Sequence, residues 1–294
     1  MSLPRTIALA VVWFALAAGR AVAQPKLKVY IAVDMEGIAG VVSHAQAGGA
    51  DYEWARGLML AETNAAIAGA FDAGATEVVV NDAHGSHTNL RADLVDRRAI
   101  LITGRPKPLG MVEGLDASFD AVAFIGFHGH AAETDAVMGH TYSLAMRHVR
   151  LNGREVGEYG TAGMVAGYYK VPVVFVSGDE VFAAEARTFF PGVEALAVKE
   201  GIGFTAARTM HPLNARERIA AGVKSAIGRR AQMSPVSITT PIVLEVELGS
   251  AAYADAAMAV PGMERVNGVT VRYRAADALA AYKMSRLIMT LARD

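Results

Sequence analysis

The chain has 294 residues, no cysteine and a formal charge of −1, with 53% hydrophobic and 19% charged side chains. That much apolar material builds a core and excludes disorder as the main state. Near-neutrality removes the electrostatic case for nucleic acid or an anionic membrane as partner. Without cysteine there is no disulfide, lipoprotein anchor or thiolate ligand, so a bound metal must be held by His, Asp and Glu.

The first residues differ in kind from the rest. Arg5 precedes an apolar run from Ile7 to Ala18, and Ala21-Val22-Ala23 then offers a small-x-small pattern before Gln24. This reads as a signal peptide over residues 1–23, because the apolar run falls short of the ~20 residues of a spanning helix. The expectation is an exported protein, periplasmic or extracellular, whose mature domain covers 24–294 with no stable membrane association after leader cleavage.

From Lys28 to Val33 a β-branched run ends abruptly in Asp34-Met35-Glu36-Gly37, which predicts a buried strand with carboxylates at its C-terminal edge. Asp51 is placed to cap a helix to about Ala73, with Trp54, Leu58, Ala61, Ala65 and Ala68 along one face and Gly74 ending it. Strands are predicted over Glu77–Asn81, Ala99–Thr103 and Ala121–Phe127, the first followed by Asp82-Ala83-His84-Gly85 and the last running into His128. A Gly- and Ala-rich helix is expected over Gly157–Tyr169, a strand over Val171–Ser177, and a helix capped by Asp179 to about Phe190. Pro212–Arg230 reads as a helix with basic residues in its last turn. Ile242–Leu248 and Val269–Tyr273 are strands, and Ala275–Arg293 a closing helix. The alternation predicts an α/β fold: a mostly parallel central sheet flanked by helices, with a smaller C-terminal α/β portion and a weakly marked sub-boundary near 205–235.

In open α/β sheets, functional groups collect at the carboxyl ends of strands. Three strands here end in the same vocabulary: Asp34 and Glu36, then Asp82 and His84, then His128. Singly, a strand-end Asp caps the next helix more often than it binds anything, and a lone His is usually structural. Together they suit a divalent metal held by imidazole and carboxylate with a position open for water. Asp34 and Glu36 are two residues apart, so in extended backbone both point to one side and one of them could bridge two ions. Spacing does not separate zinc from manganese or magnesium, although imidazoles favour zinc. Downstream, His140 lies in MGHT shortly after His128, and Glu158 opens the glycine-rich helix, where the helix dipole favours an acid in any case. His44, His87, His130, His148 and His211 lack such context and read as structural or surface residues, though His87 and His130 each lie within three residues of a proposed ligand.

The blocks VDMEGIAG (Val33 to Gly40), VNDAHG (Val80 to Gly85), GMVEGLD (Gly110 to Asp116), GFHG (Gly126 to Gly129), MGHT (Met138 to Thr141) and VGEYG (Val156 to Gly160) occur in this order. Together they resemble the D-aminopeptidase (DppA-like) family of zinc metallopeptidases, from about Lys28 to Lys199. The C-terminal third carries fewer such blocks. The resemblance implies two Zn2+ per subunit held by Asp34, Glu36, His84, His128 and Glu158, with Asp34 bridging. It also implies a non-ligand His140 that moves protons or stabilises the tetrahedral intermediate, and a ring-stacked homodecamer. The stretch from His128 to His140 is about one residue longer than the pattern expects.

The function expected is an exported zinc-dependent aminopeptidase releasing N-terminal, D-configured amino acids from short peptides. Two alternatives stand beside it: a zinc amidase or hydrolase on another small substrate, and a non-catalytic exported protein that binds metal or peptide.

Overall fold

The computed structural model describes residues 26–292. The leader expected over residues 1–23 therefore lies outside the described residues. In chain order the strands are β1 (Lys28–Val33), β2 (Glu77–Asp82), β3 (Ile100–Ile102), β4 (Ala121–Phe127), β5 (Met146–Leu151), β6 (Arg154–Glu155), β7 (Val173–Asp179), β8 (Glu194–Gly203), β9 (Ala206–Thr209), β10 (Ile242–Leu248), β11 (Met263–Arg265) and β12 (Thr270–Ala275). The helices are α1 (His44–Gly48), α2 (Tyr52–Asp72), α3 (Glu158–Tyr168), α4 (Glu180–Phe189), α5 (Pro212–Gly228), α6 (Ala251–Ala257) and α7 (Ala278–Leu291).

Seven strands form the main sheet in the order β3-β2-β1-β4-β7-β8-β9, all parallel except the last pair. All seven residues of β4 are buried, as expected of a central parallel strand covered on both faces. Alternate residues feed two cores. Val29, Ile31 and Val33 pack with α2 and α5 on one face, whereas Tyr30 and Ala32 join the core of α3, α4 and α7 on the other. A second sheet, β11-β12-β10-β5-β6, is antiparallel throughout and shares this second core. Its middle strand alternates, with Ile242, Leu244, Val246 and Leu248 buried and the residues between them half-exposed.

The smaller sheet is not built from C-terminal residues alone, because β5 and β6 come from the middle of the chain and pair with β10. Across residues 205–235 the chain finishes the main sheet with β9 and returns along it as α5, against α2. Strands β5, β6, β8, β9 and β11 and helices α1 and α6 were not predicted. Their short or polar-interrupted patterns carry little periodic signal.

Several local expectations shift. Asp51 stands at the N-cap of α2, but its side chain accepts no capping hydrogen bond. The buried face of α2 is carried by Ala55, Leu58, Met59, Ala66 and Ala70 instead, while Ala61, Ala65 and Ala68 are half-buried and Trp54 is 52% exposed. In so alanine-rich a helix apolar spacing does not choose a face; Gly69 does. A Cβ there would lie 2.4 Å from the carbonyl oxygen of Ala220 in α5, so the two helices touch backbone to backbone. The basic residues expected in the last turn of α5 fall just past it, Arg229 as C-cap and Arg230 in a following 3-10 turn. The closing helix starts at Ala278, where Asp277 accepts from the amide of Ala280.

Replacing Gly69 with Val should force α2 and α5 apart and cost about 1–3 kcal/mol of overpacking. Gly57→Ala in the same helix, where an added Cβ meets nothing within 4 Å, should stabilise by about 0.5–1 kcal/mol. Urea denaturation of the two variants checks the opposite signs.

Candidate active site

Parallel pairing in register sets the ends of β2 and β4 beside the end of β1. Asp34 and Glu36 leave β1, His84 follows β2 and His128 follows β4, so side chains distant in sequence converge on one sheet edge. Glu158 joins from the first turn of α3, and His140 from the loop between β4 and β5. Asp34, Glu36, His84, His140 and Glu158 line one cavity of about 140 Å³, with His128 stacked on the ring of His140 at 4.3 Å between centroids. The additional residue between His128 and His140 does not carry His140 away from the site.

The donors fall into two sets. In the first, His84 Nδ1 lies 3.2 Å from Asp34 Oδ1 and 2.9 Å from Glu36 Oε2. In the second, His128 Nε2 lies 3.9 Å from Glu158 Oε2, and His140 Nε2 lies 3.6 Å from Glu158 Oε1. Asp34 faces both sets, because its other oxygen is 3.7 Å from His128 Nε2. Candidate ligand atoms group within 4.8 Å as Asp34–Glu36–His84 and as His128–His140–Glu158.

Backbone carbonyls orient all three imidazoles. His84 Nε2 is 2.8 Å from Ala47 O, His128 Nδ1 is 2.9 Å from Gly129 O, and His140 Nδ1 is 2.8 Å from Met138 O. A carbonyl only accepts, so each of these nitrogens carries a proton; the second nitrogens of His128 and His140 then turn a lone pair inward, while that of His84 faces the carboxylates of Asp34 and Glu36. The His128 Nε2 so directed is buried and has no hydrogen-bond partner among the described residues. A buried, unpaired lone pair beside carboxylates is a costly arrangement unless a cation completes it. The site therefore fits a divalent metal, with the other ring nitrogen tied to a carbonyl as in metal-binding histidines generally.

Electrostatics agree. Burial, reinforced by the charge of Glu36, pushes the Asp34 carboxyl well above its usual range. Burial acts on Glu36 in the same direction, but the adjacent His84 outweighs it and holds Glu36 well below that range. Burial opposes protonation of His84 as well, yet Glu36 and Asp34 raise it. Burial and Glu36 lift Glu158 to about 7, and burial with His140 lowers His128 to about 3. Carboxylates crowded together out of water form a pocket of negative potential that a divalent ion would relieve.

Residues 27–287 match the family described as D-aminopeptidase. A D-aminopeptidase of Bacillus subtilis (strain 168) is 39% identical over 267 residues, spanning 90% of this chain and 97% of that one. The chain belongs to the D-aminopeptidase family. A solved structure, described as the Zn-dependent D-aminopeptidase DppA from Bacillus subtilis, a self-compartmentalizing protease, superposes with a TM-score of 0.88. It is 37% identical and covers 90% of this chain and 98% of its own.

Membership makes the chain a metallo-aminopeptidase and leaves roles to be read for the other polar residues nearby. Asp82, one of the strand-end acids, turns away: its carboxylate accepts from the amides of Asn89 and Leu90 and from Asn89 Nδ2, fixing the loop after His84. His87 is buried at positive φ and lines the cavity, which its lack of motif context had hidden. His130 lies near Glu133 and Glu185, but its Nδ1 accepts from the amide of Ala132, so Nε2 holds the proton and faces Glu185 at 3.2 Å. Neither Glu185 oxygen has a hydrogen-bond partner among the described residues, and His130, Glu133 and Glu185 bring three possible ligand atoms within 4.8 Å of one another.

Sequence reasoning also missed the supports of the β1 loop. Lys199, fully inside the protein, donates to the carbonyls of Glu36, Ile38 and Val41, and Glu62 accepts from the amide of Ala39 at 2.9 Å. Asp179 both caps α4 and accepts from the amides of Gly129 and Val137, bracing the segments that carry His128 and His140.

Asp34→Ala should lose its bound divalent metal on gel filtration. Asp82→Ala should keep the metal while losing about 1–3 kcal/mol of stability through its orphaned amides. Elemental analysis beside thermal melts distinguishes the two.

Proposed function

We propose that this chain is an exported zinc aminopeptidase that removes N-terminal D-amino acids from short peptides. The observation that carries the reading is the pair of donor sets meeting at Asp34, with the buried His128 Nε2 left without a hydrogen-bond partner among the described residues. Asp34, Glu36 and His84 would hold one Zn2+, and His128 and Glu158 with Asp34 a second. Bound there, zinc would supply Lewis acidity, lowering the pKa of water and polarising the peptide carbonyl.

The remaining work belongs to side chains. The acid-rich wall attracts the free amine of a peptide and orients its first residue. His140 has Nδ1 tied to Met138 O, leaving Nε2 basic, directed at Glu158 and partly open to the cavity. That nitrogen is placed to accept a proton as water attacks and return it to the leaving amine. Glu158 is itself held by the amide of Tyr142, so its second oxygen keeps a fixed direction.

Export rests on the leader-like residues 1–23 and would bring the enzyme to D-alanine peptides released from cell walls. No helix among the described residues is long and apolar enough to cross a membrane. A homo-oligomer, a decamer by resemblance, is the expected assembly. The self-compartmentalizing relative supports the coarser of these two statements.

The test is hydrolysis of D-Ala-D-Ala against L-Ala-L-Ala, with chelation, zinc add-back and metal content measured together. Zinc-restored release of D-alanine with about two metals per chain is expected from a two-ion site; L-selective turnover would remove the D-peptide reading and favour a broader amidase. His140→Ala should retain zinc and lose about 10²–10⁴-fold in kcat. Loss of metal in that variant would make His140 a ligand instead.

A further inference from the structure

The GMVEGLD block, whose function the metal site does not use, forms a turn beside the cavity, and its first glycine meets a side chain from the far end of the chain. Gly110 has φ +45°, and a Cβ on it would lie 2.2 Å from Cζ of Arg286 and 2.3 Å from one of its terminal nitrogens. The guanidinium therefore lies flat against a bare backbone position. The turn is tied in place: Asn81 Nδ2 donates to Gly110 O, and Tyr282 of α7 donates to Leu109 O. Arg286 stands one helical turn after Tyr282, and its guanidinium faces the Tyr282 hydroxyl.

Arg286 lines the same cavity as Asp34, Glu36 and Glu158. Among the described residues it makes no ion pair with a carboxylate. Its charge acts on Tyr282, Tyr142, His87 and Lys107. A half-buried guanidinium with no carboxylate in ion-pair contact keeps its planar fork available, and that fork suits a carboxylate. The cavity thus carries acids and a metal-ligand set together with the guanidinium of Arg286. A free dipeptide is a zwitterion whose amine and carboxylate match those two kinds of group. The cavity's 140 Å³ is well under the ~300–1,000 Å³ of sites for drug-sized molecules, which suits a small substrate.

We propose that Arg286 binds the terminal carboxylate of the substrate, making this enzyme selective for peptides with a free carboxylate over carboxyl-blocked ones. The inference rests on the aminopeptidase reading above and adds to it a substrate class and a specificity residue from the C-terminal helix.

The experiment compares D-Ala-D-Ala with D-alanyl-D-alaninamide, which share a scissile bond and differ only in the terminal charge, in the wild type, Arg286→Gln and Arg286→Lys. The wild type should favour the free acid by about tenfold or more in kcat/KM, the scale of one charge-assisted contact, mainly through KM. Arg286→Gln should bring the ratio close to one, and Arg286→Lys, with charge but no fork, should fall between. Equal rates on acid and amide in the wild type, or an unchanged ratio in Arg286→Gln, would overturn the proposal. If Arg286→Gln does not fold, the wild-type ratio and Arg286→Lys decide alone. If the zinc-loaded wild type cleaves neither compound, the aminopeptidase reading fails separately. Calorimetric titration of both compounds then still decides: tighter binding of the acid, lost on changing Arg286, supports the contact, and equal binding sinks it.

Discussion

The Asp34 carboxylate faces two imidazoles at once, one oxygen toward His84 and the other toward His128, and the remaining geometry follows from keeping it there. It can do so only because β1 lies between β2 and β4, with Val33 paired to Asp82 on one side and Ile125 on the other. A parallel sheet brings three carboxyl ends to one edge without any long connection. The backbone completes the arrangement: the amide of Asp34 donates to Ile125 O and that of Gly37 to Gly126 O, extending the pairing past the strand. An added Cβ at Gly37 would sit 1.8 Å from Phe127 O, so the glycine of VDMEG is what lets the two chain segments run so close.

Grouping Asp34, Glu36 and Glu158 out of water carries a charge cost that a loosely held site would escape by spreading apart. The protein prevents this with further buried charge. Lys199 reaches through the interior to three carbonyls of the segment from Glu36 to Val41, and Glu62 holds the amide of Ala39 between them. Burial drives Lys199 down to about 8 and Glu62 up to about 7. Neither group is comfortable, and both remain because the loop's polar backbone would otherwise be unpaired in the core. Stability is given up here to fix ligand direction, a common bargain at functional sites.

What could be read in the sequence divides along physical lines. Strands β1, β2, β4 and β7 are apolar runs closed by Asp, His or Gly, and their type and order were legible, with β7 shifted two residues from Val171–Ser177. The side chains that meet at their ends were legible too, since few other residues of the right chemistry stand at strand termini. The face of α2 was not, because the choice depends on a backbone contact at Gly69. Lys199 and Glu62 look like any surface lysine and helix glutamate, since burial is a property of the fold. The small sheet was blurred for a related reason: β5 reads Met-Arg-His-Val-Arg-Leu, and only pairing with β10 makes its alternation count.

The division of the chain also separates two tasks. The groups suited to metal and proton chemistry all lie before residue 160, on elements of the main sheet and the helix that follows. Arg286 comes from α7, which packs against α3 and the small antiparallel sheet. Through Tyr282 and Arg286, α7 touches the turn at Gly110, and Arg286 and Met289 of the same helix line the cavity. A change in α7 can therefore alter which peptide ends are accepted while the donor sets at Asp34 stay as they are. This is a physical reason for the sequence blocks that identify the chemistry to be dense in the first two-thirds of the chain and sparse beyond it. The terminal helix has to supply one cation at one distance, and a single arginine over a glycine leaves little trace in a sequence.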